Sequence, residues 1–169
     1  MSIAKKIYRR LPESIRDTLL LRMFGLFKVP LLFWIRPKIV ELSKQRTIIK
    51  IPLGRRTKNH LNSMYFGVLA SGADCAGALS AMKMINESGH NVSLAFKDFH
   101  ADFLKRAEGD TLFTCTQGEE IKLFVERVLA SEQRQHMPVK VIATCPDKTG
   151  DEPVAIFTLT LSLKKKLDN

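Results

Sequence analysis

The sequence lacks the cysteine pattern of a disulfide-bonded or zinc-stabilised protein. Only three of its 169 residues are cysteines (Cys75, Cys115 and Cys145), and no two of them form a CxxC pair. An odd number of widely spaced cysteines argues against a disulfide framework and against a structural zinc site. We see no cleavable signal at the N-terminus. We therefore expect a reduced, cytoplasmic protein.

The common catalytic motifs are also missing from the chain. It contains no Walker loop, no GxGxxG, no GxSxG elbow and no HExxH, which removes the usual nucleotide-binding, serine-hydrolase and metalloprotease interpretations. Three of the four histidines, His90, His100 and His136, show no metal-ligand spacing. We predict no metal site.

Acidic residues are scarce in the first third of the chain. Residues 1–60 hold 15 Lys and Arg against three acids, a net charge of +12, whereas the remaining residues hold 12 against 14, a net −2. Such asymmetry predicts attraction to an anionic partner, such as a phosphorylated cofactor, lipid headgroups or nucleic acid. Nucleic acid is disfavoured because no aromatic stacking platform accompanies the basic residues.

The longest apolar stretch near the N-terminus is too short and too interrupted to span a membrane. It runs from Leu19 to Ile35 and contains Arg22, Lys28 and Pro30, whereas a spanning helix needs roughly 20 apolar residues. Two interpretations stay open: a helix packed on the domain, or a helix lying in the membrane interface.

The N-terminal third predicts helices followed by one strand. Apolar residues recur at helical spacing from Ile3 to Phe27 with a break near Pro12, which predicts two short helices in a basic extension over residues 1–38. The stretch from Ile39 to Leu53 predicts a first strand, and Arg55 to Ser63 a polar loop.

The stretch from Phe66 to Asn86 predicts a long buried helix. It has no proline, is rich in Ala, Gly and Ser, and contains one acid and one base. A helix this apolar on nearly all sides must be covered by other elements. Its small residues would let strands approach closely.

The sequence after Gly89 predicts strands joined by turns. The predicted strands cover residues 92–96, 112–128 with an interruption at 117–119, 139–144 and 154–163. One long helix among strands, without βαβ alternation, predicts an α+β fold with an antiparallel sheet over residues 39–169.

Asp74 is the outstanding candidate for chemistry. It is the only carboxylate between Ser43 and Asn86, and it falls in the middle of the predicted buried helix. A charge there costs several kcal/mol unless it is paired, hydrogen-bonded or open to a pocket. Either Asp74 is a satisfied structural acid or it belongs to a site. Its neighbour Cys75 we interpret as a small core residue.

The residues around Asp74 resemble a known family. Gly67 precedes Asp74 by seven residues, which is the interval between the last glycine of His-Gly-Gly and the aspartate in hotdog-fold acyl-CoA thioesterases of the phenylacetate-degradation type. The order Asn59, Tyr65-Phe66-Gly67 and an acid on the helix is similar to their thioesterase-like relatives in DUF4442. Tyr65 and Phe66 stand where the enzymes carry His and Gly.

The resemblance implies a fold and a set of roles. The fold would be a hotdog, in which an antiparallel sheet wraps one long helix. The Gly67 amide would hold the oxyanion of a thioester at the helix N-terminus. Asp74 would act as general base or as nucleophile, and Asn59 would orient water or the acyl carbonyl. Family active sites lie between two subunits, so a homodimer is implied, and further assembly to a tetramer stays open.

The implied substrate is an acyl-CoA or another acyl thioester, with coenzyme A as part of the substrate and no separate cofactor. Arg55 and Arg56 could attract its phosphates, and His60 could be a polar group of the pocket. The resemblance assigns the acyl site to Tyr65, Phe66, Val68 and Ser71. The alternative function is a non-catalytic acyl- or lipid-binding module, held at the membrane periphery by the basic N-terminal helices.

Overall fold

The computed structural model describes residues 11–166. Within them the elements follow in this order: α1 Glu13–Lys28, α2 Pro30–Ile35, β1 Lys38–Leu42, β2 Thr47–Ile51, α3 Phe66–Ser88, β3 Val92–Phe103, β4 Thr111–Cys115, α4 Gly118–Leu129, β5 Gln135–Thr144, α5 Pro146–Thr149 and β6 Pro153–Lys165. The helix predicted before Pro12 lies outside the described residues. The predicted helix after Pro12 is confirmed as α1.

The strands form one antiparallel sheet in the order β1-β2-β4-β5-β6-β3. Alternate residues of β5 and β6 turn towards α3 and are fully buried: Val139, Val141, Ala143, Ala155, Phe157, Leu159, Leu161 and Leu163. This period of two gives the sheet one apolar face that must be covered. The predicted α+β architecture, with α3 as the central helix, is confirmed.

Helix α3 packs closely because several of its core-facing residues have little or no side chain. A Cβ atom on Gly72 would lie 2.4 Å from ring atoms of Phe113, which is itself fully buried. A Cβ atom on Gly77 would lie 3.2 Å from Val139. The glycines that weaken α3 as an isolated helix therefore create the space that the sheet fills.

Among the described residues, α3 is the one helix long and apolar enough to cross a membrane. Of its most apolar window, 61% is buried inside the protein. Burial beneath the sheet accounts for its composition.

The predicted single strand from Ile39 to Leu53 is wrong, because the structure has a hairpin there. Strands β1 and β2 are joined at Ser43–Arg46, where the Ser43 amide donates to the Arg46 carbonyl at 2.9 Å. The Arg46 amide in turn donates to the Ser43 hydroxyl at 3.1 Å. Four consecutive polar residues at 43–46 mark this turn in the sequence.

The prediction of strands from Leu112 to Val128 is wrong beyond β4, because α4 follows it. The buried residues Ile121, Phe124, Val125 and Val128 recur at helical spacing, with charged residues between them. Two glutamates in the first turn and Arg127 in the last turn complement the helix dipole. The predicted strands over 92–96, 139–144 and 154–163 are confirmed, within longer strands.

Helices α1 and α2 pack on the open side of β1. The Ile39 amide donates to the Thr18 hydroxyl at 2.9 Å, and Leu21, Leu32 and Ile35 are buried in the core. The predicted boundary at residue 38 coincides with the start of β1 and stays a prediction as a domain boundary.

The close contact at Gly72 generates a test of this packing. Gly72→Ala adds helix propensity but drives a methyl group into the Phe113 ring, so we expect a net loss of about 1 to 3 kcal/mol in the free energy of unfolding by urea. Gly54→Ala is the control, since nothing lies within 4 Å of its Cβ position. Equal stability of Gly72→Ala and the native protein would contradict the packing.

Candidate active site

The N-terminus of α3 is held in place by backbone hydrogen bonds from two separate segments. The Met64 amide donates to the Ala107 carbonyl, and the Tyr65 amide donates to the Thr57 carbonyl, each at 2.8 Å. Thr57 is itself anchored, because its hydroxyl donates to the Pro52 carbonyl at 2.8 Å. The first turn of α3 therefore has a fixed position relative to the sheet.

Two amide groups at this end of α3 lack a hydrogen-bond acceptor among the described residues. The Val68 and Leu69 amides donate to the Tyr65 carbonyl at 2.9 and 3.1 Å, and Tyr65 gives no side-chain cap. Within residues 11–166, the Phe66 and Gly67 amides have no acceptor. Free amides at the positive end of a helix are suited to hold a developing negative charge.

Asp74 lies on the same face of α3 as Gly67. Seven residues of an α-helix make almost two full turns, about 20° short, and rise about 10 Å along the axis. The Asp74 side chain is half-buried, and no hydrogen-bond donor or cation contacts it in the described part of the chain. Burial raises the pKa of its carboxyl above the usual range. Asp74 therefore has no partner among the described residues, and its role in a site stays a prediction.

The surface between these two positions is a strip of small side chains. The strip consists of four half-buried residues at i, i+3, i+4 and i+7: Gly67, Ala70, Ser71 and Asp74. The other residues of α3 between Val68 and Ala78 are buried. The Ser71 hydroxyl donates to the Gly67 carbonyl at 2.8 Å. The strip is a shallow surface that another backbone can approach closely.

The aromatic residues of the motif flank this strip. Tyr65 and Phe66 are exposed, with their ring centroids 4.7 Å apart. Val68, in contrast, is buried in the core on another side of α3. The structure therefore places Tyr65 and Phe66 next to Gly67 at the N-terminus of α3, with Ser71 and Asp74 farther along the same helix, and it separates Val68 from them.

Asn59 organises the loop before α3. Its Oδ1 accepts from the Leu61 and Ser63 amides at 2.9 and 3.2 Å, and its Nδ2 donates to the Ser63 hydroxyl at 3.1 Å. The neighbouring His60 is exposed. Asn59 thus has a structural task in this loop, and its role towards a substrate stays a prediction.

Arg55 and Arg56 are exposed at the start of the same loop. The Arg56 guanidinium lies 4.5 Å from the centre of the Trp34 ring on α2. This contact brings the basic loop beside the N-terminal helices.

Sequence reasoning missed the edge of the sheet beside this site. Strand β3 pairs with β6 on one side, and in the described chain nothing pairs with its other side. Phe99, Phe103 and Leu104 are exposed along or just after this strand. Their apolar character was the available signal, but sequence does not show which strand is at an edge.

Asp110 links two strands of the sheet, a task that the sequence did not predict. Its Oδ1 accepts from the Leu53 amide at 2.9 Å, and its Oδ2 lies 2.9 Å from the Lys50 ammonium. The bond with Lys50 lowers the pKa of the Asp110 carboxyl. Asp110 therefore joins the end of β2 to the start of β4.

A cavity of about 480 Å³ lies away from the predicted site, between α1, β1 and the C-terminal half of α3. Apolar side chains form much of its wall, with charged groups from α1 and α3 at Glu13, Arg16, Asp17, Lys83 and Glu87. It shares no residue with the strip.

No cluster of three metal-ligating side chains occurs in residues 11–166. Burial raises the pKa of the Cys75 thiol, as expected for a core residue.

Residues 17–162 match the model of a family described as Domain of unknown function (DUF4442). The chain belongs to this family. The predicted family membership is therefore confirmed. No curated protein sequence matches the chain at a significant level.

Solved structures similar to this DUF4442 protein confirm the hotdog fold. A protein of unknown function from Chlorobaculum tepidum superposes with a TM-score of 0.76 at 13% identity, covering 90% of this chain and 97% of that one. A Pseudomonas aeruginosa protein, described as a probable thioesterase, gives 0.69 at 19% identity, with coverage of 92% and 97%. A thioesterase from Haemophilus influenzae gives 0.67 at 13%, with coverage of 95% and 96%.

The raised pKa of Asp74 predicts how its removal changes stability with pH. The Asp74 carboxyl ionises more readily in the unfolded chain than in the folded protein. At neutral pH its negative charge therefore lowers the free energy of unfolding. Asp74→Asn should therefore be more stable than the native protein at pH 7. The gain should disappear as the pH falls through the raised pKa of Asp74 into the range where an unfolded aspartate is also protonated.

Asp110→Asn is the matched control, measured by urea unfolding across the same pH range. The pKa of Asp110 is lowered, so its charge stabilises the fold above the unfolded pKa and that contribution is lost on acidification. The two variants should shift stability in opposite directions at pH 7. A destabilised Asp74→Asn would show that the carboxylate is satisfied in the native protein.

Proposed function

We propose that the protein is a thioester hydrolase that acts on acyl-CoA and works as a homodimer. Two features of α3 carry the proposal. The amides of Phe66 and Gly67 at its N-terminus have no acceptor within residues 11–166, and the half-buried Asp74, on the same face as Gly67, has no partner among those residues. The first supplies an oxyanion site and the second a base with a raised pKa.

The separation of these groups supports a site made by two subunits. The Gly67 amide and the Asp74 carboxyl lie about 10 Å apart along one helix, too far to act on the same carbonyl group. A second α3, packed antiparallel against the strip, would bring its Asp74 close to the first Gly67. The small side chains of the strip permit such an approach.

The free edge of β3 supports the same dimer. An exposed strand edge with Phe99 and Phe103 beside it is the kind of surface that proteins cover by pairing. Pairing of two β3 edges would extend the sheet across both subunits. It would also cover part of the aromatic surface next to α3.

The chemistry balances without a cofactor. Asp74 takes a proton from water, which attacks the thioester carbon, while the Gly67 amide of the other subunit holds the oxyanion. The intermediate then expels the thiolate, which recovers the proton from Asp74 and leaves as free coenzyme A. Direct attack by the Asp74 carboxylate, followed by hydrolysis of the anhydride, is the alternative route.

The substrate would lie along residues that flank the strip. Tyr65, Phe66 and Ser71 would contact the acyl thioester, and Arg55 and Arg56 would attract the phosphates of coenzyme A. Val68 would shape the site from the core. We place Asn59 and His60 at the rim. The three free cysteines, all buried, fit a reducing cytoplasmic location.

The cavity beside α1 favours a second candidate function, non-catalytic binding of an acyl chain or lipid. Its volume of about 480 Å³ lies within the usual range for small-ligand sites, and Leu20, Phe24 and Leu79 are among its apolar walls. Binding of an acyl chain or lipid in this cavity would not require Asp74, which is not one of its lining residues.

Release of free thiol from a panel of acyl-CoAs tests the proposal. Native protein should be active, and Asp74→Asn should lower kcat by about 10²- to 10⁴-fold because the general base is lost. Glu126→Gln, an exposed acid on α4, is the control and should keep full activity.

Two results would contradict the proposal. The native protein could be inactive on every chain length, and saturable binding of a fluorescent fatty acid would then support the second candidate. Alternatively, Asp74→Asn could hydrolyse acyl-CoA at the native rate, which would exclude Asp74 as base or nucleophile.

A further inference from the structure

The N-terminal helices present a large apolar surface to the solvent. Ten of the eighteen exposed large apolar side chains of residues 11–166 lie in residues 13–35. We call this surface the N-terminal apolar face, and it consists of Ile15, Leu19, Leu20, Met23, Leu26, Phe27, Val29, Leu31, Phe33 and Trp34. Scattered exposed apolar residues are ordinary in proteins, but a cluster of this kind marks a surface that binds something.

Helical geometry places the α1 members of this face together. At 100° per residue, the six residues from Ile15 to Phe27 fall within an arc of about 140°. The opposite side of α1 is packed on the protein, where Leu21 and Gly25 are buried. A Cβ atom on Gly25 would lie 2.7 Å from the Phe33 amide nitrogen, so α1 and α2 are in close contact. A helix that is apolar on both sides is covered on both sides in a stable protein.

The charges around the face identify what covers it. Residues 13–38 contain five basic residues and two acids, and Asp17 is the only acid between Ser14 and Val40. Arg56 extends this basic surface, because its guanidinium lies 4.5 Å from the Trp34 ring. A second copy pressed against the face through a two-fold axis would bring basic residues against basic residues. An anionic surface would instead complement them.

The residue types match those of helices that lie in a membrane interface. Phe27 is 71% exposed and Trp34 is 55% exposed, and both are side chains that enter the boundary between headgroups and acyl chains. At 100° per residue, Arg16 lies within the apolar arc and Arg22 lies beside it, so their long aliphatic stems can lie along the arc. The Nε atom of each is buried, so the outer guanidinium nitrogens are the parts that can reach the phosphates.

We propose that the N-terminal apolar face docks the protein on the surface of an anionic lipid bilayer. The two helices would lie in the interface, with their apolar side chains among the upper acyl chains and the basic residues at the headgroups. This docking goes beyond the proposed hydrolase activity, and its test requires no substrate.

Co-sedimentation of the full chain with lipid vesicles tests the proposal. The protein should bind vesicles of equal parts phosphatidylcholine and phosphatidylglycerol, and it should bind pure phosphatidylcholine vesicles more weakly. The double variant Leu20→Ser with Phe27→Ser should lower the partition coefficient at least tenfold, because two large side chains no longer enter the bilayer. Leu123→Ser is the control, since Leu123 is equally exposed on α4, outside the face.

A second pair of variants tests the electrostatic contribution to vesicle binding. Arg56→Glu should weaken binding to the anionic vesicles severalfold, because the Arg56 guanidinium lies beside Trp34 of the face, and added salt should reduce the difference. Lys122→Glu, an exposed charge reversal on α4, should bind as the native protein does.

Three results would overturn the proposal. The native protein could fail to sediment with the anionic vesicles, or the double variant could bind them as strongly as Leu123→Ser. The third result would be a double variant with half the native mass by light scattering and with the same vesicle binding as the native protein. A second copy would then cover the face.

Discussion

The close approach between α3 and the sheet is the contact on which the rest of the structure depends. The fully buried Phe113 ring occupies the space that a side chain on Gly72 would need, and Val139 lies against Gly77 in the same way. Small residues weaken the helix as an isolated element, so α3 is stable because the sheet wraps it. In return α3 covers the apolar face of β5 and β6.

The same arrangement explains where the candidate site lies. The sheet and α4 cover most of α3, and the uncovered part of its N-terminal half carries Gly67, Ser71 and Asp74. The loop before α3 is fixed by Thr57 and Ala107, so the free amides have a defined position. Helices α1 and α2 leave a second uncovered surface, which is apolar and basic and which contacts the loop before α3 through Trp34 and Arg56. We propose another subunit as the partner of the first surface and a lipid bilayer as the partner of the second.

The sequence predicted the features that depend on local pattern. Helix α3 was visible as an apolar run without proline, and Asp74 as its isolated acid. The turn at Ser43–Arg46 and helix α4 were missed, although polar residues and the spacing of Ile121, Phe124 and Val128 indicated both. The free edge of β3 and the burial of Val68 could not be predicted, because they depend on strand order and on the orientation of α3 against the sheet.

Subunit complementation tests most directly whether two copies share one active site. Asp74→Asn homodimers should be inactive because the base is lost. Gly67→Val keeps the amide but puts a side chain 2.6 Å from the Tyr65 ring, so its homodimers should be inactive because the oxyanion site is blocked. Random mixing of the two chains makes half of the dimers mixed, and each mixed dimer has one intact site, so activity should return to about a quarter of the native value. Mixtures with no more activity than the separate variants would contradict a site that combines Gly67 of one subunit with Asp74 of the other.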